Sequence, residues 1–123
     1  MRVFIAGVDG YLGWPLALAL AERGHEVGGI DAYFRRDWVA EIGSQSATPI
    51  RRMTERLQAF HDRFGESLDF RRGDLRDYHL VLNMLRSFEP EAVVHLGEQP
   101  SAPYSMMDVQ HAVFTQINNI RPR

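Results

Sequence analysis

The sequence predicts an α/β fold: a doubly wound parallel sheet with helices on both faces. Three observations carry this. A short apolar run, Val3 to Ala6, leads through Gly7, Gly10 and Gly13 into an apolar helix and then a second short run that ends on Asp31. Two further strand-like runs follow, Leu68 to Arg72 and Ala92 to Leu96. Between them lie stretches whose apolar residues recur every three or four positions, the signature of amphipathic helices. At 123 residues the chain is one domain at most, long enough for a real core.

The first unit has the order of parts of a dinucleotide-binding βαβ motif, and each part has a chemical reason to be there. Gly7 lets the chain turn sharply out of the strand. Gly10 lacks a Cβ, so the backbone can approach a pyrophosphate, with Tyr11 and Leu12 beside it in the loop. Gly13 lets the helix sit close against the sheet. The helix N-terminus offers free N–H groups and a partial positive charge to phosphates. Asp31 is placed to accept hydrogen bonds from a ribose diol. Residues 1–123 thus read as a Rossmann-like, nucleotide-binding domain. The alternative is that the glycines merely build a turn.

Composition narrows the class. Lys+Arg 14 against Asp+Glu 16 gives a formal charge of −2, so no general basic field invites nucleic acid or a membrane surface. The basic residues favour arginine, which suits bidentate phosphate contacts. With no cysteine, disulfides, thiolate catalysis and zinc–thiolate sites are excluded, and no metal site is assigned. No apolar run approaches the roughly 20 residues that span a bilayer. Asp9 and the glycines interrupt the N-terminal apolar stretch, which therefore does not read as a signal peptide. The default expectation is a cytoplasmic protein.

The remaining elements follow in order. Trp14 to Arg23 reads as a helix, with Pro15 tolerated in the first turn and Gly24 closing the end. It is apolar on nearly all sides, so burial is expected. Residues 32–49 read as irregular. In them Arg35 and Arg36 would lie against adenine or a phosphate, or form a solvated helix start. Asp31 favours NAD over NADP by repelling a 2′-phosphate, and the two arginines weaken that preference. Gly43 to Pro49 reads as a loop long enough for a lid. Ile50, Met53, Leu57, Phe60 and Phe64 form one helical stripe, with Arg51, Arg52, Arg56 and Arg63 off it as a solvated face.

After the Leu68–Arg72 strand, Asp74 is placed to accept from an adenine amino group and Leu75 to pack on the ring; alternatively Asp74 begins a turn. Asp77 reads as an N-cap for a helix whose core stripe is Leu80, Val81, Met84, Leu85 and Phe88. Ala92–Leu96 reads as a strand buried on both faces. The segment beyond it, from Gly97 through Asp108, leaves that strand at the switch point where ligands bind in such sheets. Its small residues would admit a nicotinamide ribose, while Gln99, Ser101, Tyr104 and Ser105 offer hydrogen bonds; the alternative is a purely structural loop. A helix from Val109 to Ile120 completes the chain.

The G-x-x-G-x-x-G spacing resembles that of the extended short-chain dehydrogenase/reductase superfamily. The stretch His95 to Met106 (H-L-G-E-Q-P-S-A-P-Y-S-M) with Ala112 to Asn119 (A-V-F-T-Q-I-N-N) is more specific. With Arg35-Arg36 and Ala47–Ile50, it resembles the UDP-sulfoquinovose synthase family within that superfamily. The resemblance runs from Val3 to about Ile120. It implies NAD as cofactor, held by the Gly7–Gly13 loop, Asp31, Arg35, Arg36, Asp74 and Leu75, and then by Leu96, Gly97 and Glu98. It also implies a UDP-sugar substrate near Gln99, Ser101 and Tyr104. Family members join UDP-glucose and sulfite through transient oxidation at C4.

Two departures from the family pattern bear on chemistry. Pro100 stands where the family carries an arginine after its Glu-Gln pair. No tyrosine of the chain has lysine four residues on, so the superfamily's Tyr-x-x-x-Lys is missing and no catalytic residue is assigned. The expectation is the N-terminal, cofactor-binding portion of a nucleotide-sugar enzyme, truncated after the fourth strand and its following helix. The sugar-binding C-terminal part would be absent, and an exposed strand edge would lead the chain to self-associate or to need a partner. The alternatives are another NAD-dependent UDP-sugar epimerase or dehydratase, a non-catalytic nucleotide-binding module, or a plain α/β scaffold.

Overall fold

The structure, a computed structural model, describes residues 1–120. The sequence also departs from the family pattern at Ile120-Arg121-Pro122-Arg123, where the helix is expected to continue, and the last three of these residues lie outside those described. The order is β1 (Arg2–Ala6), α1 (Gly13–Glu22), β2 (Glu26–Asp31), α2 (Phe34–Glu41), α3 (Met53–Phe64), β3 (Asp69–Arg72), α4 (Tyr78–Phe88), β4 (Ala92–His95), α5 (Ala102–Ser105) and α6 (Val109–Ile120). Every strand pairing is parallel, in the spatial order β3-β2-β1-β4. The expected doubly wound α/β fold is present.

Alternation along β1 explains why two cores form. Phe4 and Ala6 point to one face, where they meet Ile30, Val81, Met84 and Phe88 beneath α4. Ile5 points to the other, with Ala17, Val27, Met53, Phe60 and Leu68 beneath α1 and α3. Phe4 and Phe88 touch at 6.1 Å between ring centres. The α4 stripe and its cap match the sequence reading, with Asp77 Oδ1 accepting from Leu80 N at 3.0 Å.

Three expectations need correction. Helix α1 is only half-buried: Gly13 and Ala17 alone are fully covered, because one narrow stripe faces the sheet and α3 packs on its flank through Trp14 and Phe60. Residues 34–41 are helical, not irregular. Phe34 and Trp38, one turn apart, pack at 5.3 and 5.5 Å on the edge of Phe114 from α6, a contact invisible to local pattern. Strand β4 is not covered on both faces. It pairs with β1 alone among the described residues, and Val93 is 55% exposed. Residues 43–49 form an exposed loop, as expected. No described helix is long and apolar enough to cross a membrane.

Candidate functional site

Strands β1, β2 and β4 end together: Ala6 lies opposite both Ile30 and His95. The chain after β3 crosses to the far side of β1, so a crevice opens between the loops that leave β1 and β4. A cavity of about 360 Å³ occupies it. Gly7, Gly10, Tyr11, Leu12 and Gly13 line it from the first loop, and Asp31, Ala32, Phe34, Arg35 and Trp38 from the end of β2 and from α2. Gly73 and Leu75 add a wall after β3. His95, Leu96, Gly97, Glu98 and Pro100 add another after β4, joined by Asn118 of α6.

At Gly7 and Gly13 the glycine loop is built so that only glycine fits. Gly7 has φ +87°, and a Cβ there would lie 2.6 Å from Gly97 N. A Cβ on Gly13 would overlap the Gly7 carbonyl oxygen and come within 2.8 Å of Val8 Cα. Gly10 differs: a Cβ there meets only the Gly7 carbonyl oxygen, at 3.2 Å, so backbone crowding is mild and the cavity side is open. Gly10 N donates to Gly7 O and Trp14 N to Gly10 O. Among the described residues, the N–H groups of Tyr11, Leu12 and Gly13 donate to no acceptor. They lead into α1 through its N-cap Leu12 and first residue Gly13, where unpaired N–H groups and the helix dipole favour an anion.

Asp31, at the end of β2, stands beside the glycine loop. Its Oδ1 accepts from Tyr33 N at 2.7 Å and its Oδ2 from Asp9 N at 2.9 Å. Burial raises its pKa above the usual 3.8, while those two backbone bonds act in the other direction. Behind it lies a cluster that pattern reading missed. Asp9, 7% exposed, accepts from Arg36 through both oxygens and from Arg56 Nη1 at 2.9 Å. Arg56 also donates to the Asp9 carbonyl oxygen at 3.0 Å and lies over the Trp14 ring. So Arg56 does not belong to a solvated face: α3 docks beside the glycine loop and turns it inward. One signal was present in the sequence. A charged residue inside an otherwise apolar glycine loop needs a partner.

Arg35 lines the cavity, whereas Arg36 is turned to Asp9. Leu75 lines the cavity as well, but Asp74 is engaged with Arg76, accepting from its Nε and Nη2. Burial alone would raise the Asp74 pKa; the Arg76 guanidinium outweighs it and holds the carboxyl below 3.8.

The β4 loop is held from α6. Asn118 Nδ2 donates to the Gly97 carbonyl oxygen at 2.7 Å, and Asn119 exchanges two bonds with the backbone of Gln99. These asparagines carried no site assignment in the sequence reading, although both fall in the quoted motif. Gln99, Ser101 and Tyr104 do not line the cavity. Gln99 is buried and accepts from Ser101 N, and Ser101 Oγ accepts from Tyr104 N to start α5. The Tyr104 hydroxyl donates to Glu41 Oε2 at 2.6 Å, and burial, with that carboxylate, pushes its pKa up to about 12. Among the described residues no group of His, Asp or Glu is gathered to hold a metal ion.

Comparison with known proteins places this geometry. A UDP-sulfoquinovose synthase from Sulfolobus acidocaldarius is 47% identical over 119 residues, covering 97% of this chain and 30% of its own length. The chloroplastic UDP-sulfoquinovose synthase of Spinacia oleracea is 41% identical over 119 residues, covering 97% of this chain and 25% of its own. The chain thus spans under a third of the length of these relatives. Among solved structures, the Thermus thermophilus UDP-glucose 4-epimerase in complex with NAD superposes with a TM-score of 0.66 at 26% identity, over 98% of this chain and 30% of that one. The sequence model of the GDP-mannose 4,6 dehydratase family matches residues 4–119. The chain belongs to that family.

Proposed function

We propose that this chain is the NAD-binding portion of a nucleotide-sugar-modifying enzyme, with the dinucleotide lying in the cavity between the glycine loop and the β4 loop. The observation that carries this is the presence of two different recognition groups on one cavity. Free N–H groups at the start of α1 suit the pyrophosphate, and the Asp31 carboxylate suits the adenosine ribose. Gly10 leaves the space between them open, Leu75 offers an apolar wall to adenine, and the Leu96–Glu98 segment lies where the nicotinamide end would pass. When bound, NAD supplies hydride transfer to and from a sugar carbon. The residues of this chain bind and orient it.

The kinship with two UDP-sulfoquinovose synthases supports one finer reading, synthesis of UDP-sulfoquinovose from UDP-glucose and sulfite through transient C4 oxidation. A second reading, a UDP-sugar epimerase or dehydratase, is favoured by Pro100. It lines the cavity where the sulfoquinovose pattern has an arginine, so no cation stands at that point to meet a sulfite. In either reading Gln99, Ser101 and Tyr104 act by shaping the loop that faces the sugar. These 123 residues contain no lysine at all, so the superfamily's proton-removing Tyr-x-x-x-Lys is not among them. The open β4 edge and exposed Val93 also favour association with a further copy or chain; a strictly monomeric species by light scattering would contradict that.

Amide shift mapping with NAD tests the site. Changes concentrated at Gly10–Gly13, Asp31–Ala32 and Gly97–Glu98 support it. Changes confined to the outer face of α3, or none at millimolar NAD, would overturn it.

A further inference from the structure

Resting on the dinucleotide reading above, we infer that Asp9 sets which dinucleotide the cavity takes. By holding Arg36, it keeps a guanidinium from meeting a 2′-phosphate on the adenosine ribose. The end of β2 carries mixed signals: Asp31 repels a 2′-phosphate, while an arginine early in the following helix attracts one. Of the two arginines there, the structure occupies Arg36 and leaves Arg35 lining the cavity. Arg36 Nε donates to Asp9 Oδ2 and its Nη2 to Asp9 Oδ1, both at 2.6 Å, and Nη2 also donates to the Arg51 carbonyl oxygen at 3.0 Å. The same aspartate is tied to the ribose-facing carboxylate, its N–H donating to Asp31 Oδ2 at 2.9 Å. Arg36 is therefore held beside Asp31 by a carboxylate that it shares with Arg56.

Loss of the Asp9 carboxylate would change that balance at one point. Arg56 keeps a separate anchor on the backbone carbonyl of residue 9 and on the Trp14 ring. Arg36 would keep only the Arg51 carbonyl, and its guanidinium could turn to a phosphate beside Asp31. The bidentate fork that now grips a carboxylate matches a phosphate equally well.

Calorimetric titration of this chain with NAD and with NADP tests the inference in wild type, Asp9→Ala, Asp9→Ala/Arg36→Ala and Arg36→Ala. Asp9→Ala is expected to improve NADP affinity relative to NAD by about tenfold, the value of one charge-assisted hydrogen bond. Removing Arg36 as well should cancel the gain, and Arg36→Ala alone should leave the NADP-to-NAD ratio unchanged. An unaltered ratio in an Asp9→Ala protein that still binds NAD would overturn the inference. So would a selective loss of NADP affinity in Arg36→Ala alone, a result that does not depend on Asp9→Ala folding. A wild-type chain that binds neither nucleotide would overturn the dinucleotide reading itself.

Discussion

Asp9 and Arg56 lie 47 positions apart, yet Arg56 Nη1 reaches both the carboxylate of Asp9, at 2.9 Å, and its carbonyl oxygen, at 3.0 Å. This double contact joins helix α3 to the glycine loop. It ties the loop's shape to a helix that itself lines no part of the cavity.

Arg56→Ala should therefore loosen the loop as well as the fold. It removes two hydrogen bonds and the cover on Trp14, while Arg36 still neutralises Asp9. A loss of roughly 1–2 kcal/mol is expected. Thermal or urea unfolding measures it, and an unchanged midpoint would show that the contact contributes nothing.

The three loop glycines should separate into two kinds. Gly13→Ala drives a Cβ into the Gly7 carbonyl and Val8, both backbone, so the loop must move. A cost near the upper end of overpacking, about 3 kcal/mol, follows. Gly10→Ala meets one atom at 3.2 Å and should fold with little loss while occupying ligand space. Circular dichroism melts of the two variants distinguish these outcomes; equal destabilisation would contradict the assignment.

A pH-dependent clasp joins α2 to α6. His111 Nδ1 lies 2.8 Å from Asp108 Oδ1, and its Nε2 lies 3.5 Å from Glu41 Oε1, the carboxylate that also accepts from Tyr104. Asp108 chiefly, then Glu41, raise the His111 pKa above 6.5. A raised folded-state pKa means the stabilisation is complete below 6.5 and is lost as pH rises through the folded value. The melting temperature should fall across that window, and His111→Gln should flatten the slope. A wild-type slope unchanged by His111→Gln would refute the clasp.

Much of this was legible from local pattern. Apart from α2 and α5, the order of strands and helices, the Asp77 cap and the α4 stripe follow from spacing and residue chemistry within one element. What escaped depends on partners far along the chain. Helix α2 has no fully buried residue, and its apolar pair Phe34 and Trp38 is covered only once α6 brings Phe114 to it. Arg56 falls off its helix's apolar stripe, so periodicity assigns it to solvent; docking against α1 reverses that. Tyr104 offers a hydroxyl that looks available, but Glu41 takes it. A continuous apolar run at Ala92–Leu96 correctly signals a parallel strand, yet it cannot tell whether both faces are covered.

Calorimetric titration with NAD, on wild type, Asp31→Ala and Gly10→Val, tests the central claim most directly. Saturable binding by the wild-type chain is predicted, abolished by either substitution while both variants remain folded. Burial raises the Asp31 pKa above 3.8, so affinity should begin to fall on acidification before an ordinary aspartate would protonate. A folded wild-type chain that takes up no NAD, or variants that bind as tightly as it does, would contradict the assignment of this cavity.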